Sequence, residues 1–151
     1  MGRFKSVTEA LDFAISEEQG AAVFYTMLAR EARSADMRLV FELFAREECA
    51  HKTKLEGVKE GKSLLEASDR VTELLVTDYR VDRESTRADT YQGALLLAMQ
   101  KEKAAYRMYN DLAQATNVQT LQHLFRGLAQ EEANHQLRFE LEYDACITPE
   151  N

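Results

Sequence analysis

From Leu11 onward, apolar side chains recur every third or fourth residue. Leu11, Ile15, Ala22, Tyr25 and Ala29 form one stripe, and Met37, Phe41, Phe44 and Leu55 the next. Leu95, Met99, Tyr106, Tyr109 and Ala113 make a third; Leu121, Phe125, Leu128 and Phe139 make a fourth. This is the spacing of amphipathic α-helices, so four helices are predicted. The first is expected over about 8–33, opened by a capping box of Ser6 and Glu9. The second covers about 36–60, capped by Ser34 or Asp36 and ended by Gly61. The third covers about 89–115 after Asp89, and the fourth about 118–143 after Asn117. Each is roughly 25 residues, or about 37 Å. Short turns at 34–36 and 116–117 fold the four into two antiparallel hairpins, about 8–60 and about 89–143.

The stripes are not wholly apolar. Between Leu128 and Phe139 the fourth passes through Glu132 and His135, in the stretch EEANH. The second passes through Glu48 and His51, in EECAH. The offset between them, 135 − 51 = 84 residues, holds far beyond these five positions. It carries Met37, Phe41, Phe44 and Leu55 onto Leu121, Phe125, Leu128 and Phe139, and Glu18 and Tyr25 onto Glu102 and Tyr109. The chain is therefore one helical hairpin repeated in tandem. The midpoint of Glu18 and Glu48, residue 33, falls beside the first turn, and that of Glu102 and Glu132, residue 117, at the second. Each pair therefore sits at nearly the same height across its hairpin. Glu18, Glu48, His51, Glu102, Glu132 and His135 thus converge on one layer of a bundle core.

Residues from about 62 to 88 are the one long connection. Leu64, Leu65, Val71, Leu74, Leu75 and Val76 make it a partly helical strap, long enough to run the length of the bundle. The expected fold is all-α: a ferritin-like four-helix bundle with one long crossover, one domain over residues 1–151. With 151 residues, 45% of them hydrophobic, a single core of that size is affordable. The net charge of −7 is spread along the chain, which argues against nucleic acid and against an anionic membrane surface as partner. No apolar run approaches the roughly 18 residues of a spanning helix. The two cysteines, Cys49 and Cys146, form no C-x-x-C pair, and Cys49 reads as a small, partly buried thiol. A cytoplasmic protein is expected.

Four carboxylates in one buried layer repel one another, and two imidazoles cannot balance them. Two divalent metal ions can. The i, i+3 spacing of Glu-x-x-His aims both side chains at one ion. A Glu from each of two helices with Glu-x-x-His from each of the other two is the di-iron or di-manganese carboxylate arrangement. Oxygen and nitrogen ligands suit iron or manganese, and zinc would also bind.

AISEEQGAAVFYTMLA, REECAH, AMQKEKAAYRMYNDLA and QEEANH together resemble the ferritin-like domain of the rubrerythrin family. The resemblance covers almost the whole chain and holds at all six ligand positions. It implies that Glu48 and Glu132 bridge two iron ions, with Glu18, His51, Glu102 and His135 as terminal ligands. It also implies peroxide reduction at the di-iron centre, or the oxidation and storage of iron seen in relatives. Two features depart from the family. There is no rubredoxin module with paired C-x-x-C motifs, so electrons must come from a separate donor such as a rubredoxin. Ala105, and Ala21 in the first repeat, stand where many rubrerythrins carry an extra glutamate.

Tyr25 and Tyr109 lie two turns past Glu18 and Glu102 on the same faces, within reach of a ligand carboxylate. Tyr106, one turn past Glu102, breaks the repeat where the first hairpin has Ala22; it is read as core packing, or as a radical or gating residue. His123 lies off the metal layer, at a surface or an interface. Two functional classes follow: a redox enzyme acting on hydrogen peroxide or oxygen, or a metal-binding or iron-storage protein without turnover. A homodimer along exposed helix faces is expected.

Overall fold

The structure is a computed structural model and describes residues 2–61, 73–81 and 90–147. Four long helices form it: α1 (Val7–Glu31), α2 (Ala35–Glu60), α3 (Tyr91–Ala115) and α4 (Gln119–Ile147). Side-chain caps set their starts. The Ser6 and Ser34 hydroxyls accept from the N–H groups of Glu9 and Met37, each at 3.1 Å. Ser34, not Asp36, is thus the cap of α2. The backbone of Ala32, φ −59° and ψ 141°, leaves the helical region and ends α1 short of residue 33. Thr90, and not Asp89, caps α3, accepting from Gly93 N–H at 2.9 Å. The fourth helix runs on to Ile147, past the expected end near 143.

The two hairpins, α1–α2 and α3–α4, pack most closely within themselves, and α1 meets α3 as α2 meets α4. The end of α2 lies beside the start of α1, where Lys59 Nζ is 2.6 Å from Asp12 Oδ1. The start of α3 lies at the opposite end, where the Tyr91 ring meets Phe41 of α2 at 6.3 Å. The connection between α2 and α3 therefore crosses the whole length of the bundle, which is the ferritin-like topology. Its described part, residues 73–81, holds a 3₁₀ turn, Val76–Tyr79. Leu74 and Val76 pack on the core, while Leu75 pairs with Arg3 in an isolated antiparallel bridge and stays partly exposed. Leu64, Leu65 and Val71 lie outside the described residues.

Two apolar clusters fill the bundle. One gathers Leu11, Leu55, Met108, Leu112, Phe125 and Leu128 near the start of α1. The other gathers Leu28, Met37, Phe41, Phe44, Leu95 and Phe139 toward the far end. The polar layer sits between them. Cys49 is exposed rather than partly buried, since its position turns it away from the stripe that carries Glu48. None of the described helices is long and apolar enough to cross a membrane.

Candidate metal centre

All six predicted residues are buried, with exposures between 1 and 3%. They come from the middle of the four helices, where the two clusters leave a polar gap. His51 Nδ1 lies 3.2 Å from Glu18 Oε2, 3.1 Å from Glu48 Oε1 and 3.4 Å from Glu132 Oε1. His135 Nδ1 lies 3.4 Å from Glu102 Oε2 and 3.5 Å from both Glu48 Oε1 and Glu132 Oε1. Two sets of four ligand atoms result, Glu18, Glu48, His51 and Glu132, and Glu48, Glu102, Glu132 and His135. Within each set all ligand atoms fall within 4.8 Å of one another. Glu48 and Glu132 belong to both sets. Such an arrangement can hold two ions side by side with two carboxylates shared.

The donor set fits metal ions on a second ground. Glu48 Oε1, Glu102 Oε2, both Glu132 oxygens and His135 Nδ1 have no hydrogen-bond partner. Buried polar atoms left so cost on the order of 1–3 kcal/mol each. Evolution rarely keeps five in one place unless something else satisfies them. Burial, with the neighbouring carboxylates Glu102 and Glu18, pushes the Glu48 carboxyl well above its ordinary value. Burial raises Glu132 in the same way, with Glu102 and Glu48 adding to it. Burial alone would lower His51, but its hydrogen bond to Glu18 and the nearby carboxylates of Glu18 and Glu48 outweigh that and raise it to about 11. His135 is raised against its burial by Glu102 and Glu47. These shifts all favour bound protons, which would supply without metal the positive charge that cations supply with it. Four carboxylates and two divalent ions are neutral without them.

The tyrosines reach across the bundle. Tyr109 of α3 donates to Glu18 Oε2 of α1 at 2.5 Å, and Tyr25 of α1 donates to Glu102 Oε1 of α3. Each phenol therefore holds the glutamate of the other hairpin, not the one on its own helix. Burial, with those carboxylates beside them, raises both phenols well above their usual value, so they are donors at any ordinary pH.

The histidines are held the same way by residues that sequence reasoning missed. His51 Nε2 meets Glu131 Oε1 at 3.2 Å, and His135 Nε2 meets Glu47 Oε1 at 3.1 Å. A carboxylate at Nε2 fixes the proton there and leaves the Nδ1 lone pair facing the centre, as ligand histidines require. The signal was in the chain: the repeat duplicates the double glutamate of REECAH and QEEANH, not only its second member. Phe44 stacks on the His135 ring at 4.0 Å and completes that wall.

Tyr106 is not at the site. It stands where the first hairpin buries Ala22, and the larger ring turns outward, 40% exposed. At that exposure it does not pack in the core, and it is not among the residues lining the cavity beside the layer. His123 is exposed, away from the layer.

A solved hypothetical protein from Pyrococcus furiosus has the same fold, with a TM-score of 0.75 and 25% identity over 97% of this chain and 94% of its own. No curated protein matches the chain. The family model of rubrerythrin matches residues 9–143, a span that holds every ligand candidate. A match over that much of its length makes the protein a member of the rubrerythrin family.

Proposed function

We propose that the chain is a dinuclear iron protein that reduces hydrogen peroxide or oxygen with electrons from a separate donor. The observation that carries this reading is the pair of ligand sets sharing Glu48 and Glu132, with five buried polar atoms left for ions to satisfy. Glu18 and His51 would hold one ion, Glu102 and His135 the other, and manganese would suit the same ligands. When bound, two iron ions supply two electrons together to an O–O bond.

The residues of the chain prepare that chemistry. Glu131 and Glu47 fix the imidazole tautomer, so Nδ1 needs no reorganisation to bind. Tyr109 and Tyr25 tie down one oxygen each of Glu18 and Glu102, which steadies the terminal carboxylates. The apolar clusters at the two ends of the layer keep bulk water from those directions and strengthen the electrostatic interactions between its groups.

Metal analysis of protein purified without added metal or chelator tests the proposal. About two iron or manganese per chain, followed by steady peroxide consumption with a supplied reductant, is the expected result. A single oxidation event without turnover would assign the chain to metal binding or iron storage instead. Less than one metal per chain, with no uptake of ferrous iron, would remove the centre altogether.

A further inference from the structure

Between α1 and α3 a cavity of about 20 Å³ reaches Glu18, Glu48, Glu102 and Glu132. That is room for about one water-sized molecule. The unpartnered oxygens of Glu48, Glu102 and Glu132 belong to residues that line it, so the cavity opens onto the proposed ion positions. On the other side of the layer, Glu47, Glu131 and Phe44 cover the imidazoles.

Phe13 of α1, Met108 of α3 and Tyr79 form an apolar part of the cavity wall. Tyr79 differs from the other two in origin. It comes from the crossover strap rather than from one of the four helices. It is only 2% exposed and is held from two sides. Its hydroxyl donates to Asp111 Oδ2 of α3 at 2.8 Å. Its ring stacks at 6.5 Å on Phe4, which meets Phe13 edge-on at 5.6 Å. The N-terminal segment in turn grips the strap, as Phe4 N–H donates to Leu74 O at 3.2 Å. The ring is thus a fixed wall rather than a loose side chain.

We propose that Tyr79 sets the width of the passage to the metal centre and limits what reaches it to molecules the size of water, dioxygen, peroxide or formate. The inference rests on the dinuclear reading and deepens it: organic peroxides and other substrates with bulky groups are excluded. A phenyl ring needs a cavity on the order of 150 Å³, far more than is present.

Cobalt(II)-loaded protein tests this without turnover, since ligand binding changes the visible spectrum of the metal. Formate and benzoate share a carboxylate and differ in size. The wild-type protein should respond to formate and bind benzoate at least about tenfold more weakly. Tyr79→Ala should respond to both. Tyr79→Phe keeps the ring, loses only the bond to Asp111, and should still exclude benzoate. Phe13→Ala opens the same wall from α1 and serves if Tyr79→Ala does not fold. Equal binding of both anions by the wild type would overturn the proposal. So would continued exclusion of benzoate by a folded, formate-responsive opened variant, or silence toward formate in protein holding two cobalt ions. Failure to take up cobalt at all would instead overturn the metal-centre reading, and this inference with it.

Discussion

The two sides of the polar layer are built from the same repeat yet differ in what they do. The α2–α4 side carries both histidines, each backed by a glutamate from the other hairpin, with Phe44 closed over one ring. The α1–α3 side carries the terminal glutamates, each tied by a tyrosine, and beside them lies the cavity. In the proposed reading, one side grips the ions and the other admits the substrate. Repeated hairpins produce this difference because α1 meets α3 and α2 meets α4, so helices of like kind face each other. Two copies of α1-type sequence make one face, and two copies of α2-type make the other.

The residues shared by both sides should give the largest effect. Glu132→Gln removes a ligand common to both ion positions, and metal content should fall below one per chain. Wild-type protein with metal at a thousandfold excess over Kd should gain about 4 kcal/mol of stability, and the variant should gain almost none. Without metal the order reverses, since the variant loses a buried, unpartnered carboxylate. Melting curves with and without metal, for both proteins, check both signs.

Acidity offers the next contrast. The folded chain holds Glu48 and Glu132 above their ordinary 4.5, and His51 at about 11 against 6.5. Between ordinary and folded values, the native metal-free chain binds more protons than the unfolded one. The stability these groups contribute is therefore full below their ordinary values and declines as pH rises toward their folded ones, through neutrality for His51. Metal binding displaces those protons, so the stabilisation conferred by metal should grow over the same range. Denaturant titrations from pH 5 to pH 9 on both forms test this, and a metal-free protein that gains stability with pH would sink it.

Within the gripping side, Glu131→Gln and Glu47→Gln should each weaken mainly the ion on the histidine they touch. A loss of about 10–100-fold in affinity is expected, measured by chelator competition. On the admitting side, Tyr25→Phe and Tyr109→Phe should cost about 1 kcal/mol each, or roughly fivefold. Equal losses on the two sides would erase the distinction between them. The smallest effect belongs to Tyr106→Ala: an exposed side chain away from the layer should change stability by less than about 0.5 kcal/mol and leave metal content untouched.

Sequence alone determined the four helices, the tandem repeat and the six residues of the layer. Helical periodicity records which residues share a face of their own helix, and the offset of 84 records which faces match. Two positions equally distant from a turn must meet across it, so even their height was legible. What periodicity does not record is which residue of a facing helix a side chain touches. Glu47 and Glu131 each sit about 100° around the helix from a ligand glutamate and read as solvent-facing until another hairpin is placed beside them. Tyr25 and Tyr109 share a stripe with one glutamate and bond to the other for the same reason. Tyr106 lies about 40° off the Glu102 direction, at the edge of the stripe, where only the local packing decides between inward and outward. Tyr79 lies in no stripe at all. Its place beside the centre depends on where a crossover passes over a finished bundle, and that path is fixed by contacts with Phe4 and Asp111 that arise only once the helices have assembled.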